Sequence, residues 1–342
     1  MGMNIVILDD YQDAVRKLHC FERLHGHEVK VFNNNVKGAG QLAVRLRDAQ
    51  AVVLNRERTM LNRAVLEKCP KLRLVAQIGH VGQHLDVDAC TRLGIGVVEG
   101  RTDPEPTAEF TWALIMSAMR RLPQYVAGLK QGAWQQSGLK SQAMPVNFGL
   151  GQRLAGKTLG IWGYGRIGRL VARYGRAFDM RVLVWGGEAS QRNAREEGFQ
   201  VAESRQSLFA DSDVLSLHMR LSESTRAVVT LADLSRMKPQ AVLVNTARAE
   251  LIAPDALVAA LNRGRPGIAA VDVFESEPIM RGNPLLRLEN AICTPHIGYV
   301  ESEHYERLFG QAFDAIVRFA SGDFGSLLNP GALNRVHAPP PP

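Results

Sequence analysis

Leu159-Gly160-Ile161-Trp162-Gly163-Tyr164-Gly165-Arg166-Ile167-Gly168 is the stretch on which the fold turns. Its first four residues read as a buried strand, and Arg166 to Arg176 reads as a helix. Between them Gly163, Tyr164, Gly165, Arg166, Ile167 and Gly168 match G-x-G-x-x-G. The first glycine permits a tight turn, the second lets the backbone approach a pyrophosphate, and the third lets helix and strand pack closely. The helix N-terminus adds N–H donors and partial positive charge for phosphates. The same hexapeptide also occurs as a glycine-rich turn with no ligand. The flanking strand and helix favour the dinucleotide loop.

The next strand, Arg181–Trp185, runs into Gly186-Gly187-Glu188. An acidic residue about 20 residues beyond the glycines ordinarily holds the ribose hydroxyls. Gly186 stands where that acid is expected. Glu188, two residues later, is the candidate replacement, and Arg192 would instead suit a 2′-phosphate. The nearer carboxylate points to NAD, with NADP left open.

Working outward, Val214–Leu217, Ala241–Asn245, Ile268–Val273 and Ala291–Thr294 read as further strands. With Leu159–Trp162 and Arg181–Trp185 they give six, the count of a full doubly wound dinucleotide fold. Upstream, Ile5–Leu8, Glu28–Phe32, Ala51–Leu54, Arg73–Ile78 and Gly96–Glu99 read as strands separated by helical patterns such as Gly40–Arg47 and Arg63–Lys68. Strand–helix alternation implies parallel sheets. One long helix is expected from Thr107 to Lys130, with Glu109 in its first turns, then a loop from Gln135 to Gly151. A last helix is expected from Ser302 to Ser321. The chain of 342 residues, 46% apolar and 22% charged with 31 glycines, suits two α/β domains.

Other classes find little support. The apolar run Ile5–Leu8 is too short for a signal-peptide core and lacks a basic flank, and no run reaches membrane length, so a cytoplasmic protein without membrane partners is expected. Cys20, Cys69, Cys90 and Cys293 are dispersed, which argues against a disulfide framework or metal site. The net charge of +7 favours anionic ligands such as dinucleotides and carboxylates. No basic–aromatic motif accompanies it, so no nucleic acid is expected.

Three more motifs follow the glycine loop in order: Val244-Asn245-Thr246-Ala247-Arg248-Ala249-Glu250, Val271-Asp272-Val273-Phe274-Glu275-Ser276-Glu277-Pro278 and Thr294-Pro295-His296-Ile297-Gly298. Over about residues 4 to 330 the chain resembles the D-isomer-specific 2-hydroxyacid dehydrogenases, the family of phosphoglycerate, glycerate and formate dehydrogenases. The resemblance implies a Rossmann-type doubly wound cofactor domain over 105–296. It also implies a smaller flavodoxin-like α/β substrate domain from 1–104 and 297–330, with 331–342 a disordered tail. The active site would lie in a cleft between the domains, and the helix after Thr107 would help form a homodimer.

The resemblance also implies roles. Reducing a 2-keto acid leaves negative charge on oxygen, and His296 would be the acid/base that supplies the proton. Glu277 would pair with His296 and orient it, with Glu275 a nearby competitor. The Glu–His pair argues against formate, since formate dehydrogenases use glutamine. Arg248 would grip the substrate carboxylate and polarise its carbonyl. The family usually carries glycine where Ala249 stands. Thr246 and Ala247 would border the cofactor, and Asp272 would accept a hydrogen bond from the nicotinamide carboxamide. His218 resembles the start of the family's His-x-Pro loop beside the cofactor, with Arg220 in place of the proline. In the first domain, Ile78-Gly79-His80-Val81-Gly82-Gln83-His84-Leu85-Asp86 resembles the substrate loop. His80 belongs to it, and backbone N–H groups near Val81 and Gly82 would bind the carboxylate. Arg56 would meet a second anionic substituent, with Arg58 the alternative. A dinucleotide-sensing corepressor on the same fold is the competing reading.

Overall fold

The structure, a computed structural model, describes residues 2–139 and 144–333. It divides into two compact units, residues 2–103 with 301–333, and residues 104–300.

The first unit is built on β1 (Asn4–Ile7), β2 (Glu28–Val31), α1 (Ala39–Leu46), β3 (Ala51–Asn55), α2 (Arg63–Leu66), β4 (Leu74–Ile78), α3 (Val87–Arg92) and β5 (Gly96–Glu99). The five strands pair in the order β2-β1-β3-β4-β5, all parallel, which is the flavodoxin-like order. β3 and β4 are buried at every residue. A parallel strand covered on both faces has no polar side, so it appears in sequence as an unbroken apolar run.

The second unit begins with α4 (Glu105–Arg120) and α5 (Leu122–Lys130). The single helix expected over 107–130 is therefore two. Pro123 sits in the first turn of α5, and Arg121 takes a left-handed φ of 56° at the break. Proline at this point denies the helix one hydrogen bond and crowds the preceding turn. The Arg121 side chain is fully buried, donates to the Phe148 carbonyl at 3.1 Å and lies over the Phe148 ring. Residues 140–143 of the expected loop lie outside the described residues.

The sheet that follows comprises β6 (Thr158–Trp162), α6 (Arg166–Ala177), β7 (Arg181–Trp185), α7 (Glu188–Glu196), β8 (Gln200–Val201), α8 (Arg205–Asp211), β9 (Val214–Leu217), α9 (Leu231–Leu234), β10 (Val242–Asn245), α10 (Ala256–Asn262), β11 (Ile268–Val271) and β12 (Ala291–Cys293). Its order is β12-β11-β10-β9-β6-β7-β8, again all parallel. This is the doubly wound dinucleotide order with one further strand. Seven strands replace the six expected. The addition is β8, whose two residues pair only with the edge of β7 and are too short to show a period. One apolar cluster joins α4 and α6 to the sheet through residues such as Ile115, Val171 and Ile161. A second lies against Phe209, Leu234 and Leu257.

The chain returns to the first unit with α11 (Ser302–Ala320). Glu301 caps it by accepting from the Glu303 and His304 N–H groups, and Phe309, Phe313 and Ile316 are buried on its inner face. Within the segment expected as a tail, Pro330–Ala332 forms a 3-10 turn with Ala332 buried, anchored by Asn329, whose side chain accepts from the Val97 N–H at 2.8 Å. Residues 334–342 lie outside the described residues. Among the described residues no helix is long and apolar enough to cross a membrane, and the four cysteines are unpaired.

Candidate active site

The glycine loop is dictated by its neighbours. Gly163 has φ of +101°, and a Cβ there would lie 2.8 Å from the backbone carbonyl of His218. Gly168 packs on the Gly163 carbonyl oxygen with no room for a side chain. Gly165 differs: a Cβ there would meet nothing within 4 Å. It is also the N-cap of α6 and offers no side chain to cap it. Open space in front of uncapped N–H groups fits a pyrophosphate. Tyr164 points inward, bonded to Glu197 at 2.9 Å, and Ile167 packs on the core. Arg166 opens α6 and is exposed.

His218 follows β9 directly and hydrogen-bonds Ser216 through Nε2 at 2.8 Å. Burial pulls its pKa down to about 4, so it is neutral at pH 7. The loop after it, where Arg220 replaces proline, closes by Thr225 donating to the Arg220 carbonyl at 2.7 Å. At the end of β7 the missing acid has a local cause. A Cβ on Gly186 would sit 2.9 Å from Ser190 Cβ, so the start of α7 leaves no space for a side chain. Glu188 is the first residue of α7, exposed beyond that contact, and Arg192 is exposed on the same helix.

Arg248 follows β10 at the start of a 3-10 turn, Ala249–Leu251. Asn245 shapes that bend: its side chain donates to the Arg248 carbonyl at 2.8 Å and accepts from the Ala247 N–H at 3.1 Å. Thr246 is bonded to Thr111 of α4 at 2.7 Å. Ala249 lies in the turn without a positive φ, so the alanine is accommodated where glycine is usual.

His296 sits at φ of 52° in the loop after β12. Its Nδ1 is 2.7 Å from Glu277 Oε2, and the other Glu277 oxygen accepts from the Phe274 N–H at 3.0 Å. Glu277 therefore holds the ring, and Glu275 has no part in the pair. With Nδ1–H donated to the carboxylate, Nε2 is the nitrogen left for a reacting oxygen. Asp272 has a role that the sequence did not reveal. It accepts from Thr294 Oγ1 at 2.7 Å and from the Ile297 and Gly298 N–H groups at 2.9 and 2.8 Å. Burial pushes its carboxyl above the usual range against those three bonds. Asp272 thus ties down the backbone on both sides of His296, at Thr294, Ile297 and Gly298.

The loop expected to receive substrate in the first unit follows β4. Gly79 has φ of +77°, and the Arg56 guanidinium lies against it. Arg58 instead donates to the Asp9 carbonyl at 3.2 Å and stacks on Tyr11. Arg56 is therefore the arginine brought to the loop. His80 Nδ1 is 3.2 Å from Glu99, and the Val81 N–H donates to the same carboxylate at 2.8 Å. Gly82 lies against the Glu57 carboxyl group. Asn245, Thr294 and Glu99 were missed as site residues; a lone polar side chain ending or just following an apolar strand was the signal available for each.

These features define an NAD-binding oxidoreductase. The family model described as "D-isomer specific 2-hydroxyacid dehydrogenase, NAD binding domain" matches residues 112–298, and the chain belongs to that family. A glyoxylate reductase of Aeropyrum pernix is 38% identical over 272 residues, covering 79% of each chain. A D-3-phosphoglycerate dehydrogenase of Methanocaldococcus jannaschii is 36% identical over 75% of this chain and 47% of its own. The crystal structure of a provisionally assigned D-3-phosphoglycerate dehydrogenase oxidoreductase from Ralstonia solanacearum superposes with a TM-score of 0.96 at 60% identity, covering 97% of this chain and 98% of that one.

Proposed function

We propose that the enzyme transfers hydride between NAD and a short 2-hydroxy or 2-keto acid, with glyoxylate, hydroxypyruvate/glycerate and 3-phosphoglycerate as the candidate class. The carrying observation is the 2.7 Å contact between His296 Nδ1 and Glu277. It fixes one nitrogen and leaves the other to exchange a proton with the substrate oxygen. NAD supplies or accepts the hydride when bound. Gly165 and the α6 N-terminus hold its pyrophosphate, His218, Thr246, Ala247 and Asp272 border it, and Glu188 meets the ribose. Arg248 offers two N–H donors to the substrate carboxylate and carbonyl oxygen, favouring the charge that develops on reduction. Val81 and Gly82 offer backbone N–H groups to the carboxylate, His80 stands beside them, and Arg56 suits a second anionic substituent on the substrate.

A homodimer is part of this reading. Leu122, Val126 and Leu129 recur at helical spacing along α5 and are all exposed, an apolar stripe that a second copy would cover. Val126→Glu is expected to shift the molar mass measured by light scattering to that of a single chain; an unchanged mass rejects this face. For the reaction, a panel of 2-keto acids is assayed with NADH and NADPH by absorbance. Oxidation with at least one member is expected, and none would move the assignment to a cofactor-sensing binder.

A further inference from the structure

In the loop Gly79–Gly82, taken above as the seat of the substrate carboxylate, one of the two donors is already occupied from within the chain. Those donors are the Val81 and Gly82 N–H groups. The Gly82 N–H meets no acceptor among the described residues. The Val81 N–H donates at 2.8 Å to Oε2 of Glu99, whose other oxygen lies 3.2 Å from His80 Nδ1. Glu99 is the exposed last residue of β5, reaching across from the neighbouring strand of the same sheet.

Glu99 is not needed to shape the loop. The Gly100 N–H already bridges the Gln77 and Gly79 carbonyls at 3.1 and 3.2 Å, and the Gln77 side chain ties the Arg56 and Ile78 carbonyls together. Arg56 and Thr102 pack on Gly79 from the other side. An exposed charge-assisted bond added to a loop so braced contributes little to folding, but it occupies a donor that a ligand carboxylate requires.

We infer that Glu99 is a specificity-determining competitor: its carboxylate occupies half of the substrate-carboxylate seat and must be displaced before a 2-keto acid can engage both N–H groups. The inference rests on the reading that this loop receives the substrate carboxylate. Binding exchanges one carboxylate for another on the Val81 N–H, and the displaced Glu99 stays nearby as a like charge. Both effects weaken affinity without touching the chemical step, because neither changes between bound substrate and transition state.

The test is Glu99→Gln, with Glu99→Ala as a second variant should the first misfold. Two quantities are measured on the NADH-loaded full chain: KM and kcat for the best keto acid, and the affinity for oxamate by calorimetry. The expected result is a KM lower by roughly tenfold, kcat within about twofold, and oxamate bound roughly tenfold more tightly, the size of one charge-assisted hydrogen bond. Unchanged or weaker oxamate binding in both variants overturns the inference, since a bracing role predicts weaker binding. If the wild type turns over no keto acid yet the variants bind oxamate more tightly, the competitor stands and the proposed reaction falls. If the wild type is active and neither KM nor oxamate affinity moves, the competitor falls and the reaction stands.

Discussion

The two sheets each end a buried strand in a positive-φ glycine beside a binding loop, but the glycines are enforced differently. After β6, Gly163 is hemmed in by backbone: the carbonyl of His218 and the amide nitrogen of Met219. After β4, Gly79 is hemmed in by side chains, the end of Arg56 and the methyl of Thr102. Backbone pinned to the sheet edge, as His218 is by its N–H on the Trp162 carbonyl at 2.8 Å, retreats less readily than a guanidinium on a flexible stem. On the proposed reading, the first loop is a fixed cradle for a ligand part that never changes, and the second can re-form around different substrates. His296 and its partners belong with the fixed kind, held by Glu277 and Asp272 through bonds of 2.7 to 2.9 Å.

The largest expected effect is on chemistry. His296→Ala should lower turnover by about 10²–10⁴-fold, the usual contribution of general acid–base catalysis. NADH affinity, measured by fluorescence titration, should stay within about twofold. Weakened cofactor binding with turnover preserved would refute the assigned role.

Gly163→Ala comes next. Left-handed strain and a collision with immovable backbone should cost roughly 3 kcal/mol or more in denaturant unfolding and abolish NADH binding. A variant with a wild-type midpoint would show that the cradle is not rigid.

Acid should expose the same cradle through His218. Its folded pKa, about 4, lies below the ordinary 6.5, so the unfolded chain binds more protons between those values. Stability from this group is complete above pH 6.5 and is lost as pH falls, by about 2 kcal/mol at pH 5 and about 3 kcal/mol at pH 4. His218→Gln should flatten the dependence of the urea midpoint between pH 7 and 5. An equally steep dependence in the variant would assign the acid sensitivity elsewhere.

Gly79→Ala should be mildest, about 1 kcal/mol, with Arg56 shifting aside and KM rising while NADH affinity holds. A loss equal to that of Gly163→Ala would erase the contrast between fixed and adjustable loops.

The sequence by itself determined a good deal. Eleven of the twelve described strands were legible, most of them as unbroken apolar runs, because strands buried on both faces have no polar alternation to disguise them; β2, at the sheet edge, instead alternates and exposes Glu28 and Lys30. The order of the glycine loop, Arg248, Glu277 and His296 gave the family, because each motif answers a local geometric demand. Tertiary structure decided what depends on a distant partner. It broke the long helix at Arg121, where Pro123 and the Phe148 carbonyl act together. It explained Gly186 by the approach of Ser190, chose Arg56 over Arg58 through contact with Gly79, and set Asp272 on the His296 loop. It also placed Glu99 on the Val81 N–H, a bond between residues 18 apart in sequence on neighbouring strands. A motif records the backbone geometry that a residue type permits. Which donor meets which acceptor is fixed only when packed strands bring them within 3 Å of each other.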